Sequence, residues 1–226
     1  MELRTRTIAE AWPKIIKRII ELGDIQEVIV DGEYIDTLEY PEPIMVRIGD
    51  PLNDMIPKGS GWSKQTLDIY ANQLIDADQR GFVYTYGQRL CNYNQTNQIE
   101  FIIGRLRQDP TSRQALAITW KPEEDPTNEY PPCLQIIDVK LRKNKLHMSV
   151  YFRSNDMWSA WPQNAYALAS TLRYLSRIIG VETGTLTMVS NAAHVYDYDW
   201  KAACELVGLD YMLLTELNIS TNDYQG

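Results

Sequence analysis

Between Glu27-Val28-Ile29-Val30 and Glu33-Tyr34-Ile35 stands the dipeptide Asp31-Gly32. Asp-Gly between two β-branched runs is a strong short-range sign of a two-residue hairpin, because both central residues of a type I′ turn need positive φ. Just before it, Trp12, Ile15, Ile16, Ile19 and Ile20 fall on one stripe at helical period within Ile8 to Leu22. A chain that opens with an amphipathic helix and then an antiparallel hairpin must build a sheet and cover it with helices. A second hairpin is predicted where Lys143-Asn144-Lys145 joins strands over Cys133 to Leu141 and Leu146 to Phe152. Further strands are expected at Ile44 to Ile48, Ala115 to Trp120 and Thr185 to Tyr196, with a loop rich in Asp, Pro and Gly from Gly49 to Trp62. Helices are expected at Ser63 to Ala77, Gln95 to Gln108, Gln163 to Ile179 (closed by Gly180) and Trp200 to Leu206. No repeated βαβ unit is visible, so the pattern predicts an α+β fold with one large sheet, in a single domain over residues 1–226.

Composition removes several classes of function. Lys plus Arg number 22 against 30 Asp plus Glu, a formal net charge of -8, which argues against sequence-independent binding to a nucleic-acid backbone. Local arginines can still hold a small phosphate. Three cysteines, Cys91, Cys133 and Cys204, form no CxxC pair, and only His147 and His194 are present, so neither a disulfide framework nor a His-rich metal site is expected. The N-terminus carries Glu2, Arg4 and Arg6 and no apolar signal core, and no run approaches the ~20 apolar residues that span a bilayer. A soluble cytoplasmic protein, without metal or membrane partner, is the expectation. The chain has no GxxxxGK[ST], no GxGxxG after a strand and no HExxH.

Among residues able to carry chemistry, Cys133 follows Tyr130-Pro131-Pro132 at the entrance of a strand. It is either a small buried hydrophobe or a nucleophile that nearby positive charge would activate. Arg113 and Arg153 are placed to supply such charge. Each alone reads as a surface arginine; together with Ser154 they read as a forked clamp for a phosphate dianion. Asn164, near the start of the long apolar helix, is either a helix cap or an amide that pairs bidentately with a pyrimidine edge. His194 and Tyr196 are two apart on one strand and so point to the same face, which suits two hydrogen bonds to one hydroxyl as well as it suits a sheet. Asp156 reads as a turn or cap carboxylate.

The intervals between these residues are more informative than any one of them. Arg113 to Cys133 is 20, Cys133 to Arg153 is 20, Arg153 to Asn164 is 11, and Asn164 to His194 is 30. This ladder carries Asp109-Pro110-x-Ser112-Arg113, Pro132-Cys133, Arg153-Ser154-x-Asp156 and His194-x-Tyr196. From about Tyr84 to Tyr196 it resembles thymidylate synthases of the folate-type family. The form Phe82-Val83-Tyr84-Thr85-Tyr86-Gly87 is most similar to the archaeal-type branch.

The resemblance implies a large mixed β-sheet with helices packed on one face, and methylation of dUMP to dTMP. It implies that Cys133 adds to C6 of the uracil ring and that Arg153, Ser154 and Arg113 hold the 5′-phosphate, Arg113 reaching across a homodimer interface. Asn164 would read the uracil edge, and His194 and Tyr196 would hold the 3′-hydroxyl. Asp156 would bind the pterin of the one-carbon donor, and Tyr86 would line the cavity beside the thiol. The donor implied is 5,10-methylenetetrahydrofolate or a related reduced pterin such as methylene-tetrahydromethanopterin. The chain departs from the family where Gln114 follows Arg113, where Leu134 follows Cys133, and where it closes on Thr221-Asn222-Asp223-Tyr224-Gln225-Gly226. Other readings are a pyrimidine nucleotide hydroxymethylase acting on dCMP, dUMP or CMP, a non-catalytic nucleotide-binding descendant, and a plain α+β domain with a structural Cys133.

Overall fold

A computed structural model describes residues 1–79, 81, 84–212 and 214. Phe82 and Val83 of the aromatic motif, and the closing segment from Thr221 to Gly226, lie outside the described residues. Among the described residues the chain forms one eight-stranded mixed sheet and six α-helices. The strands are β1 (Glu2–Thr5), β2 (Asp24–Val30), β3 (Glu33–Glu39), β4 (Ile44–Ile48), β5 (Leu116–Ile118), β6 (Leu134–Arg142), β7 (Lys145–Asp156) and β8 (Glu182–Tyr196). The helices are α1 (Ile8–Leu22), α2 (Lys64–Gln73), α3 (Tyr86–Cys91), α4 (Gln98–Gln108), α5 (Ala160–Ile179) and α6 (Asp197–Val207). The sheet runs in the order β1-β4-β8-β7-β6-β5, and the β2–β3 hairpin joins it through β3 on the end of β8.

Both hairpins form as their turns require. Asp31 and Gly32 have φ of 52° and 83°, and Lys143 and Asn144 have φ of 51° and 59°. Positive φ at both central residues matches the twist of the flanking strands. Two neighbouring pairs are parallel, β1 with β4 and β7 with β8, the second with α5 as the crossover between its strands. Parallel neighbours need such a crossover, whereas a tight turn suffices for antiparallel ones.

Each long strand has one buried and one open face. On β7, Leu146, Met148, Val150 and Phe152 are buried, while Lys145, Ser149 and Tyr151 between them are exposed. The buried row packs under α5, whose Leu168, Leu172 and Leu175 are inaccessible to solvent. Removing each such side chain from water contributes about 1.5–3 kcal/mol. The apolar stripe of α1 is buried in full at Trp12, Ile15, Ile16 and Ile19, and the indole of Trp12 donates to the carbonyl of Met157 at 2.9 Å.

Helix starts explain two of the boundary differences. α5 begins at Ala160, three residues before the expected Gln163, because Pro162 stands in the first turn, where a proline has no helical hydrogen bond to lose. Asn164 is therefore inside the helix, and the residue at the cap is Ser159. α4 starts later than expected, with Asn97 accepting from the amide of Glu100, since Gln95 has φ of 66° in the turn before it. Strand β5 is shorter than expected, and β6 keeps its expected length but is shifted by one residue, which leaves Cys133 just ahead of it.

Candidate active site

The site lies at the carboxyl ends of the parallel pair β7 and β8, beside the first turns of α5. This is where a crossover leaves a crevice outside the sheet. The last rungs of that ladder pair Ser154 with Ala192, Asn155 with Ala193, and Asp156 with His194. Side chains of Ser154, Asn155, Asp156, His194 and Tyr196 line a cavity of about 210 Å³. α5 adds Ala160, Gln163 and Asn164, α2 adds Tyr70, α3 adds Tyr86, and the segment before β6 adds Cys133.

Seven of the nine residues singled out in the sequence thus meet in one place: Cys133, Ser154, Asn164, His194, Tyr196, Asp156 and Tyr86. Arg153 and Arg113 are not in its lining. Arg153 lines a separate cleft with Trp120, Pro122 and Tyr151. Its Nε donates to the carbonyl of Pro132 at 3.0 Å and its Nη2 to that of Pro131 at 2.7 Å. Adjacent residues of a strand point to opposite faces, so Ser154 turns to the cavity while Arg153 turns away. Arg113 is exposed in the turn after α4.

Cys133 is held between fixed neighbours. Its carbonyl accepts from the amide of Arg153 at 2.9 Å, and the next amide, Leu134, donates to the hydroxyl of Tyr86 at 3.2 Å. Burial pushes the thiol above its ordinary range, and the Arg153 guanidinium opposes that rise without cancelling it. Of the two effects on this thiol, desolvation is the larger. Three tyrosines surround it. Burial raises the phenols of Tyr70 and Tyr86, with the Cys133 charge adding to both, and pushes Tyr84 up to about 12. All three stay protonated, as hydrogen-bond donors, throughout the neutral range.

The strand-end residues are ordered by one another. His194 Nδ1 lies 3.2 Å from the carbonyl of Ala192, so that nitrogen carries the proton and donates. Its ring meets Tyr196 edge-on at 4.9 Å, and Tyr196 stacks on Tyr198 at 5.2 Å. Asp156 Oδ1 accepts from the amides of Trp158 at 2.9 Å and Ser159 at 3.2 Å, and Oδ2 accepts from the Ser159 hydroxyl. Ionised carboxylate oxygens retain acceptor sites beyond these bonds. Nearby Asp199 is pushed up to about 6, by burial first and the Asp156 charge second.

Sequence reasoning missed Tyr70 and Asn155. Tyr70 shares the inward side of α2 with buried Leu67 and Ala71, and a phenol on an apolar helix face calls for a polar partner. It has one: its hydroxyl donates to Asn164 Oδ1 at 2.8 Å. Asn155 gives no such sign, since strand parity would send it away from Ser154. The approach of α3 to α2 rests on Gly87, where a Cβ would fall 1.8 Å from the carbonyl oxygen of Gln73 and 2.2 Å from that of Asp76. Among the described residues, no group of three or more His, Cys, Asp or Glu is arranged to hold a metal ion, and no helix is long and apolar enough to cross a membrane.

Fold and cavity together define a class of protein with a mixed sheet and a cysteine at a strand entrance opening on a polar cavity. The sequence model of the family described as thymidylate synthase matches residues 58–225, and the chain belongs to that family. Similar archaeal proteins carry the name "Putative thymidylate synthase". That of Methanosarcina barkeri is 39% identical over 200 residues, covering 88% of this chain and 90% of the relative. That of Methanothermobacter thermautotrophicus is 32% identical over 218 residues, covering 91% and 97%. That of Methanocaldococcus jannaschii is 30% identical over 210 residues, covering 88% and 93%.

Proposed function

We propose that this chain methylates dUMP to dTMP, with Cys133 as the nucleophile. The observation that carries this reading is the convergence of Cys133, Asn164, Ser154, His194 and Tyr196 on one cavity from four separate stretches of chain. The thiol loses its proton to water and its sulfur bonds to C6 of the ring. The C5=C6 electron pair moves toward O4, leaving an enolate whose nucleophilic carbon is C5. Covalent addition of this kind divides a difficult substitution into easier steps. The Asn164 amide donates to O4, where negative charge develops, and accepts from N3–H. His194 and Tyr196 hold the sugar hydroxyl, and Ser154 holds the phosphate, while Arg153 fixes the carbonyls of Pro131 and Pro132 from the other face of the strand.

The donor set at the cavity mouth suits a reduced pterin, which when bound would supply the one-carbon unit, with a hydride donor required to take that unit from methylene to methyl as C5 gives up its proton. Asp156 keeps acceptor sites for the ring's N–H groups, and exposed Tyr198, stacked on Tyr196, extends a flat aromatic surface beside it. Tyr86 closes the wall next to the sulfur. Either a methylene-tetrahydrofolate or a methylene-tetrahydromethanopterin meets these requirements.

Arg113 completes the phosphate site from a second copy. Support comes from its exposure outside its own cavity, and from the open sheet face bearing Leu116, Ile136 and Tyr151. The enzyme is read as a homodimer of single-domain subunits, acting in the cytoplasm on a soluble nucleotide.

The test is release of tritium from C5-labelled dUMP with each pterin in turn. Release with either, lost in Cys133→Ser while dUMP still binds, is the expected result. Full release by Cys133→Ser, or no release with either pterin, overturns the reading.

A further inference from the structure

Behind the base-reading amide runs a chain of hydrogen bonds with one direction. The Tyr70 hydroxyl donates to Asn164 Oδ1 at 2.8 Å. Asn164 Nδ2 donates to Asn155 Oδ1 at 3.5 Å, and Asn155 Nδ2 donates to the Ser190 hydroxyl at 3.1 Å. Asn155, Asn164 and Ser190 are all buried, at 3%, 6% and 1% exposure. Resting on the reading that Asn164 meets the base, we propose that Tyr70 is a specificity-determining positioning residue. It fixes which end of the Asn164 amide faces which atom of the ring, and thereby admits uracil and rejects cytosine.

The argument is one of donor and acceptor counts. A carboxamide has two acceptor sites on oxygen and two protons on nitrogen. Tyr70 occupies one acceptor site and Asn155 takes one proton, which leaves one acceptor and one donor side by side for a ligand. Uracil offers N3–H and O4 in the complementary order. Cytosine offers an unprotonated N3 and an N4 amine, which needs the amide turned end for end. Turned, Asn164 would set its oxygen against the oxygen of Asn155, and relief would require Asn155 to turn and Ser190 to donate as well. A buried acceptor facing an acceptor forfeits its hydrogen bond and remains desolvated. The Tyr70 phenol stays protonated in its buried position, so it remains a donor. Linked bonds of this kind reverse together or not at all.

The measurement is the dissociation constant of dUMP and of dCMP for the full chain and for Tyr70→Phe, with thermal melting alongside. Phenylalanine keeps the ring and removes the donor. The ratio of dCMP to dUMP dissociation constants is expected to fall about tenfold, the size of one lost hydrogen bond, with little change in melting temperature. Ser190→Ala, at the far end of the run, is expected to lower the ratio in the same direction by less. Leu67→Ala, a packing change on the same face of α2, is expected to lower the melting temperature and leave the ratio unaltered. An unchanged ratio in Tyr70→Phe, or an equal fall in Leu67→Ala, overturns the inference while dUMP binding still supports the proposed function. If the full chain binds neither nucleotide, the proposed function fails and this inference falls with it.

Discussion

The amide of Arg153 donates to the carbonyl of Cys133 at 2.9 Å, and the guanidinium of the same residue reaches back to the carbonyls of Pro131 and Pro132. One arginine therefore fixes three consecutive peptides ahead of the sulfur. Its charge also lowers a thiol that burial raises. Hydrogen bonds from a charged donor contribute about 1.5–3 kcal/mol, and Gln135, which also donates to the Pro132 carbonyl, and Tyr86, which accepts from the Leu134 amide, share in holding the loop that carries Cys133.

Arg153→Gln should move the thiol further from ionisation. Burial then acts unopposed, the folded-state pKa rises, and less thiolate exists at any pH below it. Alkylation of Cys133 by iodoacetamide, followed from pH 6 to 10, should trace a curve displaced to higher pH in the variant. A curve displaced to lower pH would contradict the electrostatic role.

Asn164→Asp exchanges the amide donor for a carboxyl group between the Tyr70 hydroxyl and Asn155. The carboxyl can accept from the N4 amine of cytosine and, protonated, donate to its N3. Preference should shift from dUMP toward dCMP by tenfold or more, about 1.4 kcal/mol, as read by competition between the two nucleotides. Unchanged selectivity would remove Asn164 from contact with the base.

Asp199 binds its proton more tightly in the folded chain than an unfolded carboxyl would, since its value is pushed up to about 6. The sign follows: below about pH 4 the group is protonated in both states, and its neutral form suits its site. As pH rises toward 6 and beyond, the folded chain bears the ionised form in a partly desolvated place, and stability is lost. Asp199→Asn should therefore raise the melting temperature relative to the unsubstituted chain at pH 7, with the difference vanishing by pH 4. Melting curves at four or five pH values would check both ends.

Gly87→Ala should be severe. The added methyl group meets two backbone oxygens, Gln73 and Asp76, which unlike a side-chain tip cannot swing aside. A loss on the order of 3 kcal/mol is expected, together with weaker dUMP binding as Tyr86 shifts. Urea denaturation gives the first quantity and titration the second; a variant as stable as its parent would show that α2 and α3 separate at little cost.

The legible parts of the chain are those where one physical signal stands alone. α1 and β4 begin and end where the sequence predicts, because a full apolar stripe and a short β-branched run each allow one period. β1 and α3 were not foreseen. Glu2–Thr5 is four residues and gains its identity from parallel pairing with β4, while Tyr86–Cys91 is six residues with no apolar period. For the site, intervals between motif residues indicate which side chains meet, and seven of nine do. Intervals say nothing about hydrogen bonds between elements distant in sequence. Tyr70 and Asn164 are 94 residues apart, and only the packing of α2 on α5 brings them together.

The pairing of Asp156 with His194 is the final rung of a ladder that starts at Lys145 and Glu182. A strand that slips by one residue turns every side chain to the other face, so no partial registration of β7 against β8 leaves half a pocket. Closing that ladder needs contacts across 38 residues with α5 in between, a non-local step that chains complete slowly. Appearance of nucleotide binding during refolding is therefore a clock for the zipping of the central strands, and a chain that binds dUMP has already aligned its sheet.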